Sequence, residues 1–263
     1  MKALREREIE LKNIFRYNWK WGGWDTMFYR PHLLIHTKRV SWITQELTEF
    51  LGNINPNIFD KSFTDELAIF HDDSEILTWD LLSLEKEMMS KEEKEAYEKE
   101  CLNSIKILDE NYWHHAQLNY QELLLADHYK KWIEYLIVAY ADKLDAHMEI
   151  FHEILAWNEL TIKKLTNWNL DIYPHDYTRN KIIKLIHTLS NNFWVKLIDT
   201  HDLFQVSQDF NTQLAYDNAK FHAKNNIQND SWYKLYEAWK KLHFKYWDKE
   251  DREYLYSQRE FTN

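Results

Sequence analysis

The chain has 263 residues, long enough to bury a full hydrophobic core, yet it contains only 3 Gly and 3 Pro. So few turn formers and helix breakers favour long helices joined by short loops, and argue against a βαβ architecture or a many-turned sandwich. The formal net charge of −10 disfavours a protein that coats duplex nucleic acid by neutralising its phosphates.

Apolar residues at three- and four-residue intervals predict helices along most of the chain. An amphipathic helix over residues 1–18 precedes a loop with paired glycines, after which Pro31 opens a second helix that Gly52 is expected to end. A third helix, over residues 63–77, has Thr64 as its predicted N-cap.

Further segments with helical periodicity are 86–113, 122–160, 180–198 and 231–247. The segment 122–160 is long enough for one broken helix or two consecutive helices. These segments predict an all-α protein, and because no flexible linker separates them, we expect one helical domain with an extension. Its predicted parts are a core over residues 1–165 and a C-terminal helical extension over 166–263 that packs on the core.

Cysteine content and hydropathy indicate the compartment. Cys101 is the single cysteine, which excludes an intramolecular disulfide and a cysteine-based zinc cluster. Residues 1–15 alternate charged and apolar side chains, and no uninterrupted apolar stretch reaches the roughly 18 residues of a membrane span. We therefore expect a cytoplasmic protein with no membrane partner.

The run HDDSEILTWD concentrates potential ligands and acid/base groups, namely His71, Asp72, Glu75 and Asp80. A His beside an Asp offers one imidazole nitrogen and one carboxylate oxygen to a single divalent cation. That donor pair suits Mn²⁺, Co²⁺, Fe²⁺ or Zn²⁺ better than Ca²⁺. The run therefore predicts a metal site.

Further ligands must come from elsewhere in the chain, and His36 and Asp142 are the candidates. Both lie in apolar, helical contexts. A carboxylate inside the apolar run YLIVAYADKL is costly to bury unless a cation pairs with it. Asp145, one helical turn after Asp142, is the competing candidate.

The order of a His, a His-Asp pair and a distant Asp resembles the HD superfamily of metal-dependent phosphohydrolases. The longer pattern H-D-x-S-E-x-L-T-x-D, here residues 71–80, is similar to the bacterial 5′-deoxynucleotidase branch, and the resemblance covers residues 14–155. It implies an HD-domain helical bundle and hydrolysis of (deoxy)nucleoside 5′-monophosphates. It also implies one divalent metal ion, Mn²⁺ or Co²⁺ first, with Fe²⁺, Zn²⁺, Mg²⁺ and Ni²⁺ as alternatives, bound by His36, His71, Asp72 and Asp142.

Glu75 and Asp80 are the predicted catalytic residues. On one helix, Glu75 shares a face with His71 four residues earlier, so its carboxylate can act as general base or general acid near a bound cation. The resemblance implies a catalytic role for Glu75 as well, and a catalytic or substrate-contacting role for Asp80. The alternatives are a surface or capping role for Glu75 and an N-cap role for Asp80.

Substrate contacts are predicted near the glycine loop, from Lys20, Trp21, Arg30 and Arg16. The resembling branch has an Arg-Trp pair about where Lys20 and Trp21 stand, and a Lys lacks the planar fork of an Arg. Arg30 and Arg16 are alternative phosphate partners. A small-molecule nucleotide is the expected partner, and a homodimer is left open.

Other functions also fit parts of the sequence. Hydrolysis of nucleoside triphosphates or cyclic nucleotides is the nearest alternative. A di-iron oxygenase is another, since dinuclear members of the superfamily insert two extra histidines before the last Asp, where this chain has His114, His115 and His128. A nucleotide-binding scaffold without turnover is the third, but it gives Glu75 no reason to accompany the ligands.

Overall fold

The computed structural model describes residues 4–16, 27, 31–78, 86, 88–155, 158, 174–205, 241 and 245–246. Most of these residues lie in helices, the others lie in turns, bends and irregular segments, and Phe15 and His32 form an isolated antiparallel bridge. The all-α fold is therefore confirmed. Within the described part, no helix is both long enough and apolar enough to cross a bilayer.

The described helices are numbered in chain order: α1 (Leu4–Lys12), α2 (Leu33–Ile54), α3 (Lys61–Phe70), α4 (Glu75–Thr78), α5 (Lys91–Tyr112), α6 (Tyr120–Tyr129), α7 (Trp132–Leu155), α8 (Pro174–Phe193) and α9 (Asp202–Gln205). Two short 3-10 helices, Trp113–His115 and Leu197–Asp199, accompany them.

The chain divides into two compact units. Unit 1 comprises Met1–Asn18 and Arg30–Ala141, and unit 2 comprises Trp19–Tyr29 and Asp142–Asn263. The predicted boundary between residues 165 and 166 lies outside the described residues and stays a prediction.

Helix α2 is the central element of unit 1 and packs against α1 and α3. It carries a stripe of fully buried side chains at helical spacing, Val40, Ile43, Leu47 and Leu51. The prediction that Gly52 ends this helix is wrong. The helix continues to Ile54 and stops at Asn55, which is extended (φ −157°, ψ 97°) because it precedes Pro56, and a proline disfavours helical backbone in the residue before it.

The prediction of one continuous helix over residues 63–77 is also wrong, because two separate helices, α3 and α4, cover this segment. Helix α3 starts at Lys61, where the Asp60 side chain caps it by accepting from the Phe63 amide at 3.0 Å. Thr64, the predicted cap, lies inside the helix and donates to the Asp60 carbonyl at 2.6 Å. The helix ends at Phe70, and a turn over residues 71–74 leads into α4.

The remaining helices of unit 1 have clear local causes. Helix α5 begins with a capping box, in which Ser90 and Glu93 exchange side-chain-to-backbone hydrogen bonds. The described part of the segment 122–160 forms two helices, because Lys130 adopts the left-handed conformation (φ 52°) that ends α6. Helix α6 packs against α3 and α5, so the elements around the turn 71–74 are held from several sides.

In unit 2, α8 buries Ile182, Ile186, Leu189 and Phe193 along one face, as its periodicity predicts. The 3-10 helix Leu197–Asp199 contacts both α8 and α9. The predicted helix over residues 231–247 lies almost entirely outside the described residues.

Candidate metal centre

His71 follows directly on the last residue of α3, and its imidazole is held in one tautomer. Its Nδ1 lies 2.9 Å from the Ala68 carbonyl oxygen, which can only accept, so Nδ1–H is the donor. In the neutral ring, Nε2 is then the atom with the lone pair. Nε2 is buried and makes no hydrogen bond to any residue that the structure describes. A backbone carbonyl that orients the far nitrogen is a usual companion of a metal-binding His.

Asp72 joins the two histidines. Its Oδ2 atom lies 3.3 Å from Nε2 of His71 and 3.3 Å from Nε2 of His36, and the two imidazole centroids are 5.5 Å apart. His36 is fully buried on α2, and His71 is nearly so. Two nitrogen donors and one carboxylate oxygen thus converge inside unit 1.

Asp142 follows Ala141 in the same helix, α7. Its carboxylate and the ring nitrogens of His36 and His71 offer ligand atoms that all lie within 4.8 Å of one another. Asp142 also accepts from the adjacent Lys143 Nζ at 2.5 Å. Asp72 and Asp142 are thus each near the two histidines, and the role of all four residues as metal ligands stays a prediction.

This donor set fits a divalent cation. Two neutral imidazoles and two carboxylates offer two N and two O donors, a mixture that Mn²⁺, Co²⁺, Fe²⁺ and Zn²⁺ accept. The buried lone pair of His71 Nε2 supports the fit, because a buried polar atom without a hydrogen bond is costly unless it has another partner.

A second set of potential ligands adds a residue that the sequence reading missed. His36, Asp145 and Glu149 are all fully buried and offer ligand atoms within 4.8 Å of one another. Asp145, the competing candidate, is thus grouped with His36 but not with His71. A sequence signal for Glu149 exists, because Asp142, Asp145 and Glu149 follow helical spacing and form a polar stripe in an apolar helix.

Glu75 is the first residue of α4, three residues after Asp72. Its backbone amide donates to the Asp72 carbonyl at 3.0 Å, so Glu75 belongs to the same tight turn as the predicted ligands His71 and Asp72. The shared helical face with His71, which a continuous helix would have produced, is replaced by this turn. Its catalytic role stays a prediction.

The other predicted site residues are mostly beyond the described part of the chain. Lys20, Trp21, Arg30 and Asp80 lie outside the described residues. Arg16 is described and buried, and its backbone amide donates to the Pro31 carbonyl at 2.9 Å next to the start of α2. Its contact with a phosphate stays a prediction.

The histidines expected of a dinuclear centre are engaged elsewhere. The His115 ring lies against Tyr112 and His114, with centroid separations of 5.7 and 4.0 Å. His128 Nε2 lies 3.5 Å from a carboxylate oxygen of Glu98. Neither set of potential ligands found among the described residues includes them, so the geometry does not favour the di-iron alternative.

A comparison with protein families decides the class. The model of the family described as 5′-deoxynucleotidase YfbR-like matches residues 11–170. The chain belongs to this family. The match spans the His36, His71, Asp72 and Asp142 positions. No curated protein and no solved structure matches the chain.

Membership of the YfbR-like family makes the chain a hydrolase of the HD type and supports a phosphohydrolase activity on nucleotides. Enzymes of this type bind a divalent metal, in agreement with the His and Asp groups described above. The prediction that the chain is an HD phosphohydrolase of the deoxynucleotidase branch is confirmed.

Proposed function

We propose that this enzyme hydrolyses the phosphomonoester of deoxynucleoside 5′-monophosphates, with one divalent cation held by His36, His71, Asp72 and Asp142. The observation that carries the proposal is the approach of both histidine Nε2 atoms to Asp72 Oδ2 at 3.3 Å, at the His-Asp pair of a YfbR-like chain.

The first step that this chain's residues support is orientation of the ligands. The Ala68 carbonyl holds the His71 Nε2 lone pair toward Asp72, so no tautomer change is needed before a cation binds. When bound, the cation would polarise a phosphoryl oxygen and orient a water molecule. Mn²⁺ and Co²⁺ are the proposed ions because both accept mixed imidazole and carboxylate ligands.

The second step is proton transfer. Attack of water on phosphorus forms one P–O bond and breaks the bond to the 5′-oxygen, which yields inorganic phosphate and a nucleoside. The water loses a proton and the 5′-oxygen gains one. We assign this transfer to Glu75, whose backbone amide donates a hydrogen bond to the Asp72 carbonyl in the turn 71–74. Asp80 is the second carboxylate, on the side of the leaving group.

The test is a product assay on metal-free protein reloaded with Mn²⁺ or Co²⁺. Deoxy- and ribonucleoside 5′-monophosphates, triphosphates and cyclic nucleotides should be compared by release of phosphate and nucleoside. We expect deoxynucleoside monophosphates to yield both products. Glu92→Gln, at an exposed position on α5, is the matched control for carboxylate removal and should be fully active.

The outcomes are distinct. Release of tripolyphosphate from triphosphates would move the function to a triphosphohydrolase. Tight nucleotide binding without turnover, with every cation tried, would favour a sensor. Absence of any phosphate release would refute the proposed specificity.

A further inference from the structure

Asp73, the residue after the ligand Asp72, has a carboxylate that is completely buried and fully hydrogen-bonded. Its Oδ1 accepts from Arg7 Nη2 at 2.6 Å, and its Oδ2 accepts from Arg7 Nε at 2.7 Å. Oδ2 also accepts from the Tyr120 hydroxyl at 2.7 Å. Arg7 on α1 and Tyr120 on α6 are distant in sequence, so two remote helices hold this one side chain.

Arg7 also holds the end of α3. Its Nη2 donates to the Ile69 carbonyl at 2.6 Å, and its guanidinium lies 4.7 Å from the centroid of the Phe70 ring. The last carbonyls of a helix lack partners within the helix, and a positive charge is favourable there. One guanidinium therefore ties the last turn of α3 to the turn that follows it.

The protonation states support this arrangement. Burial is the largest single influence on the pKa of Arg7 and lowers it, but the charge and the hydrogen bonds of Asp73, with smaller contributions from Tyr120 and Glu8, together raise the pKa above its ordinary value, so the guanidinium stays charged. Burial and the Asp73 carboxylate both raise the pKa of Tyr120, so the phenol remains a neutral donor.

The backbone hydrogen bonds of the turn join only residues three or four positions apart, so they do not fix the turn relative to α1 or α6. The Asp73 amide bonds to Phe70 and the Glu75 amide to Asp72, both across three residues and both at 3.0 Å. Ordering such residues costs conformational entropy. If the turn is already ordered before the cation binds, the free energy of binding is not reduced by this entropic cost.

We propose that Arg7, Asp73 and Tyr120 are positioning residues that preorganise the turn 71–74, and with it His71 and Asp72, for the cation. The inference rests on the metal site of the proposed function. These residues do not touch the cation, and they act through the backbone of the turn.

The chain offers a matched pair of variants. Tyr120→Phe removes the phenol that donates to Asp73 in the turn. Tyr112→Phe removes the phenol of another buried tyrosine, which donates instead to the carboxylate of Glu10 on α1. Both changes delete one hydroxyl and preserve the ring, so a general loss of stability should affect them alike.

The measurement is the Kd for Co²⁺, from titration of the cobalt absorption bands well below the melting temperature of each variant. We expect Tyr120→Phe to raise the Kd about 10-fold or more, an effect typical of losing a residue that supports metal ligands without binding the metal itself. Arg7→Lys, which keeps the charge but loses the fork, should do the same. Tyr112→Phe should leave the Kd unchanged.

The results also separate this inference from the proposed function. An unchanged Kd in Tyr120→Phe, or an equal rise in Tyr112→Phe, would overturn the positioning role. Tight Co²⁺ binding by the wild type without phosphate release would overturn only the proposed activity. Absence of Co²⁺ binding by the wild type would overturn both.

Discussion

The Asp72→Asn variant tests the metal centre through stability as well as activity. Asparagine preserves the size of the side chain but removes the charge that lies 3.3 Å from both histidine Nε2 atoms. A dication in a buried site depends on such a charge to offset its desolvation. We therefore expect the variant to fold but to lose its stabilisation by added cation.

The magnitude follows from linkage. A cation that binds only the folded state at about 100 times its Kd raises the free energy of unfolding by about 2.7 kcal/mol. Unfolding entropy of about 2.1 cal/mol/K per residue gives about 0.55 kcal/mol/K for 263 residues, so Tm should rise by about 5 °C. If Asn weakens binding about 100-fold, the same cation concentration adds only about 0.4 kcal/mol, or less than about 1 °C.

The assay is thermal unfolding followed by circular dichroism, with EDTA and then with Co²⁺. Wild type and the control Glu92→Gln should show the full rise in Tm, and Asp72→Asn should not. A full rise in Asp72→Asn would refute its role as a ligand. A much lower Tm of Asp72→Asn in EDTA would show instead that Asp72 serves the apo fold.

Further expected outcomes concern catalysis, acid stability and specificity. Glu75→Gln should keep the Co²⁺-dependent rise in Tm yet lose turnover about 100-fold or more, and loss of the rise would make Glu75 a ligand. His32 Nδ1 accepts from the Ile35 amide at 3.2 Å, and burial lowers the pKa of His32. Neutral His32 should therefore stabilise the folded protein above about pH 6.5, and this stabilisation should be lost as the pH falls through the lowered pKa. His32→Asn keeps a cap without this titration, and urea unfolding between about pH 7.5 and 5 should show a shallower decline than wild type; parallel declines would contradict the assignment. Lys20→Arg should sharpen the preference for 2′-deoxy substrates over ribonucleotides in kcat/KM, whereas binding that survives Lys20→Ala but not Arg30→Ala would place the phosphate with Arg30.

The family and the all-α class could both be predicted from the sequence alone. Few Gly and Pro residues predicted helices, and the run from His71 to Asp80 predicted the 5′-deoxynucleotidase branch, which the match to the YfbR-like family confirms. These signals are local, since helical periodicity and a contiguous motif depend on residues within a few positions of one another. Two local rules competed at the end of α2, and the wrong one was chosen. Gly52 was expected to end the helix, but the helix ends at Ile54 because of Pro56.

The tertiary structure decided how the motif is shaped and held. Periodicity indicates which face of a helix is buried but not what covers it, so the link from Arg7 to Asp73, 66 residues apart, has no local signal. The same limit hid the break between α3 and α4, because the turn at His71 is stabilised by contacts from α1 and α6. The sequence thus predicted which residues bind the cation, and long-range contacts decided how those residues meet, since hydrogen bonds between remote helices form only when the chain has folded.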